Sequence, residues 1–169
     1  MSNQLEKFGL RPYRKLDGTP LVGAQNRYTI APEALTSNCT LDIPVFNGVF
    51  YNDPTTQKPT YKNYYPGGVT PTQGDITAFI VDDPDAVFLM DADAAFVRAD
   101  LFKNYSVSNA TGVTQTGISS VQLDVSASGT IVVQAIDITQ DPENQDTTVS
   151  NANILVRINN HFYRSGTGL

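Results

Sequence analysis

Short runs in which apolar and polar residues alternate are the feature that most constrains this chain, because a period of two matches a β-strand rather than a helix. The runs favour Val, Ile, Phe and Thr, which fit a pleated surface. Turn residues separate them at the short spacing typical of β-sandwiches and β-barrels. The runs predicted as strands are 76–81, 86–90, 121–125, 130–138 and 154–158.

These runs predict an all-β domain, a small antiparallel β-barrel or sandwich with at most one or two short helices. The best helix candidate is 93–102, and a weaker one lies near 32–35. Residues 126–129 are expected to form a hairpin turn between strands 121–125 and 130–138, since Gly129 can adopt a positive φ.

The stretch ITAFIVDDPDAVFLM (76–90) carries three aspartates between two apolar runs. Aspartate side chains accept hydrogen bonds from nearby backbone amides, and proline presets φ, so Asp82, Asp83, Pro84 and Asp85 have the chemistry of a turn. We interpret this stretch as a β-hairpin whose tip holds the aspartates. An enzymatic alternative, an acid–base pair drawn from the three carboxylates, requires a concave pocket around them.

The same aspartates, together with Asp91 and Asp93, are also candidate calcium ligands. An EF-hand loop starting at Asp91 has Asp93 at position three, but Ala95 stands at position five and no glycine follows. The stretch therefore does not match an EF-hand loop. A nonstandard calcium loop remains an alternative to the interpretation that these aspartates simply belong to turns and strand edges.

Nucleophilic and metal chemistry have little support in the sequence. His161 is the only histidine and Cys39 the only cysteine, and neither lies in a GxSxG, HExxH or paired Cys–His pattern. We expect a structural or interface histidine, a small buried or half-buried cysteine, and a protein that is not an enzyme and needs no cofactor.

Composition bears on partners and on location. The net charge is −6 and the pI about 4.5, which disfavours nucleic-acid binding because phosphate neutralisation needs a basic face. No apolar run approaches the ~20 residues that span a membrane. The first residues, MSNQLEKFGLRPYRK, lack the apolar core of a signal peptide, so we expect synthesis in the cytoplasm.

The chain is expected to divide into an extended N-terminal arm, 1–27, and a single β-domain, 28–169. The arm contains Pro12, Gly18, Pro20 and Gly23 and shows no helical period. We expect a partner or the rest of the fold to order it, with a disordered tail as the alternative. Its basic residues are Lys7, Arg11, Arg14, Lys15 and Arg27.

Aromatic residues concentrate in VFYNDPTTQKPTYKNYYPGG (49–68). A tyrosine has a rigid apolar ring with a polar tip, which suits protein interfaces. Packing in the core and stacking on sugar rings are the alternatives, and the absence of Trp weakens the sugar interpretation. The aromatic residues are Phe50, Tyr51, Tyr61, Tyr64 and Tyr65.

Four stretches, in consistent order along the chain, resemble head decoration (cement) proteins of tailed bacteriophages. They are FGLRPYRKLDGTPLVGAQNRYTIA (8–31), VFNGVFYNDPTTQKPTYKNYYPGG (45–68), TAFIVDDPDAVFLM (77–90) and ILVRINNHF (154–162). Two details depart from the family pattern: VFYNDP follows Gly48 where another glycine is expected, and Tyr64–Tyr65 replaces a Tyr–Trp pair.

The resemblance implies a small β-barrel on the outer surface of the virion capsid, where it clamps neighbouring major capsid subunits. It also implies a homo-oligomer, a trimer with a dimer as the alternative. A carbohydrate- or receptor-binding β-module of a phage appendage is the alternative function. The expected capsid- or oligomer-binding residues are Phe8, Arg11, Arg14, Lys15, Arg27, Tyr61, Tyr64 and Tyr65.

Overall fold

A computed structural model describes residues 3, 9–21, 25–29, 45–64, 76–108, 119, 121–128, 132–159 and 161. For 25–29, 45–47 and 127–128 it describes the backbone only. The helix candidate near 32–35, the predicted turn residue Gly129 and Cys39 lie outside the described residues.

The described residues form two antiparallel sheets, which confirms the predicted all-β class. The chain divides into two compact units, of which the larger holds one sheet and the smaller holds the other. The strands are β1 (Arg11–Lys15), β2 (Gln25–Thr29), β3 (Val45–Asn52), β4 (Pro59–Lys62), β5 (Thr77–Val81), β6 (Ala86–Asp91), β7 (Asn104–Val107), β8 (Leu123–Ser128), β9 (Val133–Ile138) and β10 (Asn153–Ile158).

The larger unit contains a six-stranded sheet in the order β1-β6-β10-β9-β7-β8. Strand β6 is buried along its whole length, and β10 is buried at every position except Arg157. Such runs fit strands that are flanked on both edges and covered on both faces. Part of the core is a cluster of Val87, Leu89 and Leu155, against which Ile136 packs.

The smaller unit contains a four-stranded sheet in the order β2-β5-β3-β4. One face of this sheet is buried through Val49, Tyr51 and Ala78, each of which is fully inaccessible to solvent. The opposite face carries side chains that stay partly exposed, including Phe50 and Tyr61. This alternation along β3 is the period of two expected of a strand with one buried face, although the sequence analysis marked no strand run there.

Each of the five predicted strand runs overlaps a strand, but the two predicted hairpins are wrong. Residues 126–128, which were predicted as part of a turn, belong to β8. A strand has only two hydrogen-bonding edges. Strand β5 pairs with β2 and β3, while β6 pairs with β1 and β10, so residues 76–90 connect two sheets. Strand β9 likewise pairs with β10 and β7, and β7 separates it from β8.

The barrel alternative is also wrong for the described residues, because neither sheet closes on itself. The predicted helix over 93–102 is reduced to a 3₁₀ helix at Arg98–Asp100. No described helix is long and apolar enough to cross a membrane.

The described part of the predicted arm contacts the body of the protein. The Asn3 side-chain amide donates to the carbonyls of Asp146 (2.6 Å) and Ser150 (3.1 Å). Strand β1 pairs with β6, with a bulge between Pro12 and Arg14. Proline has no backbone N–H to donate to a neighbouring strand, and an edge strand tolerates this because one of its sides is unpaired. The division into an arm over 1–27 and a domain over 28–169 stays a prediction.

Candidate functional site

Three rings, Phe50, Tyr61 and Phe79, form one partly exposed surface on the four-stranded sheet, which we call the aromatic surface. Phe50 lies opposite Tyr61 in the β3–β4 register. The Tyr61 and Phe79 rings meet edge to face, with centroids 5.6 Å apart and planes at 70°. That geometry is favourable because the positive ring edge faces the negative ring face. Phe50 is 42% exposed and Tyr61 53% exposed.

Gly48 makes room for this arrangement. It lies opposite Phe79, and its φ of +152° is one that side chains rarely adopt. A Cβ built at Gly48 would clash with the Tyr61 hydroxyl and lie 2.6 Å from Tyr61 Cζ. The glycine therefore allows the tyrosine ring to lie across the sheet backbone.

The turn between β3 and β4 fixes the register of the aromatic surface. Asp53 Oδ1 accepts hydrogen bonds from the amides of Thr55 (2.8 Å) and Thr56 (3.2 Å). The Asp53 carbonyl accepts from the Gln57 amide at 2.7 Å, and Gln57 has a left-handed φ of 56°. An aspartate turn of this kind stabilises a tight reversal without a metal ion.

Tyr64 follows β4 and is half-buried. Lys62 Nζ lies 5.5 Å from the centroid of its ring, within cation–π range. One face of this ring is therefore in contact with a cation. A sugar would have to stack on the other face.

Strand β1 brings together three of the predicted basic residues. Arg11 is exposed, and Arg14 and Lys15 are half-buried. The turn after the strand contains Asp17, whose carboxylate accepts from the Thr19 hydroxyl (2.7 Å) and amide (2.9 Å). These hydrogen bonds lower the pKa of Asp17 and keep it ionised beside the strand.

Three other predicted binding residues have no described side chain. Phe8 and Tyr65 lie outside the described residues, and of Arg27 only the backbone in β2 is described. Tyr61 and Tyr64 belong to the smaller unit, whereas Arg11, Arg14 and Lys15 belong to the larger. Their roles in binding stay predictions.

A polar groove of about 610 Å³ lies in the larger unit, and sequence reasoning identified only one of its residues, Arg14. Its lining comes from distant parts of the chain, so no local pattern marked it. The lining residues are Tyr13, Arg14, Arg98, Asp137, Ile138, Thr139, Gln140, Gln145, Thr147 and Leu155.

The aspartates that were weighed as an acid–base pair or as calcium ligands lie at different places in the fold. Asp82 is buried after β5, and the Asp85 carbonyl accepts from the amide of Leu16 at 2.8 Å. Asp93 Oδ1 accepts from the Val125 amide at 3.0 Å, a contact that ties the segment after β6 to β8. Among the described residues, no three His, Cys, Asp or Glu side chains are placed to hold a metal ion. His161 is buried just beyond β10.

No protein-family model, curated protein or solved structure matches this chain. The resemblance to phage decoration proteins therefore stays a prediction from the sequence.

Proposed function

We propose that this protein is a non-enzymatic structural protein of a tailed-phage virion. It binds the outer surface of the capsid and stabilises the shell by bridging neighbouring major capsid subunits. The observation that carries the proposal is the aromatic surface, in which Phe50 and Tyr61 remain 42% and 53% exposed on an ordered sheet.

Exposed rings on a rigid scaffold suit protein binding for two reasons. Aromatic side chains dominate the energetics of interfaces because they bury a large area and have few rotamers to lose. A strand holds each ring in place before the partner arrives, which reduces the entropy cost of association. The edge-to-face contact of Tyr61 with Phe79 adds to this preorganisation.

Bridging requires a second contact surface, and the basic residues of β1 are the candidates for it. Arg11, Arg14 and Lys15 lie on this strand in the larger unit. Basic side chains orient a protein on an acidic partner surface more than they add affinity. In a trimer, or the alternative dimer, repetition of both surfaces over a shell gives high avidity from modest single contacts.

A matched pair of substitutions tests the proposal. Phe50→Ala removes a ring of the aromatic surface, and Phe102→Ala removes a 69% exposed ring of the larger unit. Purified protein is mixed with capsids that lack it, and bound protein is measured after sedimentation. We expect Phe50→Ala to weaken binding about tenfold or more, and Phe102→Ala less than twofold.

If the two variants bind capsids equally well, the aromatic surface has no role in capsid binding. Failure of the unmodified protein to co-sediment with capsids would reject the proposed function itself. Because β1 is a strand of the six-stranded sheet, point substitutions test its role better than deletion of residues 1–27 does. Native mass spectrometry of the isolated protein tests the expected trimer.

A further inference from the structure

The polar groove joins elements that are far apart in sequence but belong to the same unit. Strand β1 contributes Tyr13 and Arg14, and the 3₁₀ helix contributes Arg98. Strands β9 and β10 contribute Asp137 and Leu155, which are register partners in the sheet. The strands that line the groove all belong to the six-stranded sheet.

The groove contains two cationic groups that are available to a ligand. Neither Arg14 nor Arg98 forms an ion pair with another described residue. A guanidinium is always ionised and presents a planar fork of donors that matches a carboxylate. Two such groups in one groove, against the single carboxylate of Asp137, favour an anionic ligand.

The remaining lining is suited to a peptide backbone. The side-chain amides of Gln140 and Gln145 each offer donors and an acceptor. Thr147 offers a hydroxyl, and Thr139 Oγ1, which donates to the Asn153 carbonyl at 3.1 Å, can still accept a hydrogen bond. Asp137 Oδ1 accepts from the Ile138 amide at 2.9 Å, so the carboxylate retains capacity for a further donor. A volume of about 610 Å³ is large enough for a short segment of chain.

We propose that this groove binds an acidic peptide segment of a partner protein, whose carboxylates pair with Arg14 and Arg98. The Gln and Thr side chains hydrogen-bond to the backbone of the segment, and Tyr13, which is 52% exposed, packs against it. Within the proposed function, on which the identity of the partner rests, the segment belongs to the major capsid protein. The chemistry of the groove does not depend on that identity.

Titration of isotope-labelled protein, followed by NMR, tests the inference. The probe is a blocked hexapeptide of alternating Asp and Glu, and its control is the Asn–Gln peptide of the same length. We expect the acidic peptide to shift the Arg14 and Arg98 side-chain signals, and the neutral peptide to leave them unchanged. Arg14→Gln and Arg98→Gln should each weaken binding about tenfold.

Lys58→Gln is the charge-matched control, because Lys58 is an exposed cation of the smaller unit that does not line the groove. It should change the affinity less than twofold. Equal binding of both peptides, or equal loss in Lys58→Gln and Arg14→Gln, would overturn the inference. Tighter binding of a trigalacturonate, lost in Arg14→Gln, would overturn it in favour of an acidic saccharide.

Capsid sedimentation separates this inference from the proposed function. If the unmodified protein binds capsids and the Arg14→Gln, Arg98→Gln double variant binds equally well, the inference is wrong and the proposed function stands. If the protein does not bind capsids but binds the acidic hexapeptide through both arginines, the inference about the groove is supported and the proposed function is wrong.

Discussion

Strands β6 and β10 differ sharply from the strands that carry the aromatic surface. Every residue of β6 is buried, as are five of the six residues of β10. Along β3, in contrast, Val49 and Tyr51 are fully buried while Phe50 between them is 42% exposed. Both regions are rich in large apolar side chains, but only the first removes all of them from water.

The contrast separates stability from recognition. Apolar area removed from water stabilises the fold in proportion to its size, so the buried side chains of β6 and β10 contribute strongly to stability. A ring left half in water contributes less to the fold, and it retains area that a partner can bury. The proposed function depends on this division.

The largest expected effect comes from removing a ring from the buried strands. Phe88 of β6 is 2% exposed, and Phe88→Ala should lower the free energy of unfolding by about 3–5 kcal/mol through lost burial and a residual cavity. The same substitution at Phe50 should cost at most about 1 kcal/mol. Urea unfolding followed by circular dichroism measures both values, and similar losses at the two positions would contradict the division.

A smaller effect is expected where the aromatic surface meets the backbone. Gly48→Ala places a Cβ against the Tyr61 ring and 2.9 Å from the Lys62 carbonyl oxygen. Overpacking and an unfavourable φ should together lower the free energy of unfolding by about 2–3 kcal/mol. The measurement is again urea unfolding.

Tyr61→Ala provides the control for that substitution, because it removes the ring but leaves the Lys62 carbonyl. In the Tyr61→Ala background, Gly48→Ala should cost about 1 kcal/mol less than it does alone. If the free-energy costs of the two substitutions simply add in the double variant, the Tyr61 ring does not lie over Gly48.

The smallest effect concerns the loop of the larger unit that joins β9 to β10. Asp146 accepts from the Thr148 hydroxyl (2.6 Å) and amide (3.0 Å), which lowers the pKa of Asp146 below its ordinary 3.8. A lowered pKa stabilises the folded state above pH 3.8, and this stabilisation is lost as the pH falls through the folded-state pKa.

Thr148→Val removes the hydroxyl donor, so the pKa of Asp146 should rise toward 3.8. Asp17, which has the same arrangement with Thr19, should be unaffected and is the internal control. NMR titration of the carboxyl carbons measures both groups. An unchanged pKa at Asp146 would show that the hydroxyl contact is not maintained in solution.

Residue alternation was clearest in the runs that overlap β5, β6, β8, β9 and β10, and it marked no separate run at β2, β3, β4 or β7. It did not identify β1, RPYRK, because a proline and three basic residues leave no apolar face to recognise. That strand forms through pairing with β6, and such long-range pairing has no local signal.

Pairing was predicted incorrectly for the same reason. Adjacent runs joined by turn residues indicate a hairpin, as at residues 76–90, and the aspartates there do have turn chemistry. The continuous apolar run of β6 fits a strand that is buried along its whole length and has a neighbour on each edge. Since both edges of β6 are taken by β1 and β10, the chain must pass from one sheet to the other.

The candidate site was predictable in part. Clustered aromatics indicated the β3–β4 region, and Phe50 and Tyr61 do form an exposed pair there. The contribution of Phe79 could not be predicted, because it depends on the β3–β5 register. The groove residues Arg98 and Asp137 come together only through the tertiary fold.

A cryo-electron microscopy map of capsids saturated with this protein tests the central claim most directly. We predict protein density on the outer surface of the shell, with each copy touching at least two capsid subunits and with Phe50, Tyr61 and Phe79 buried against one of them. A map in which the outer surface carries no added density, or in which the aromatic surface faces solvent, would contradict it.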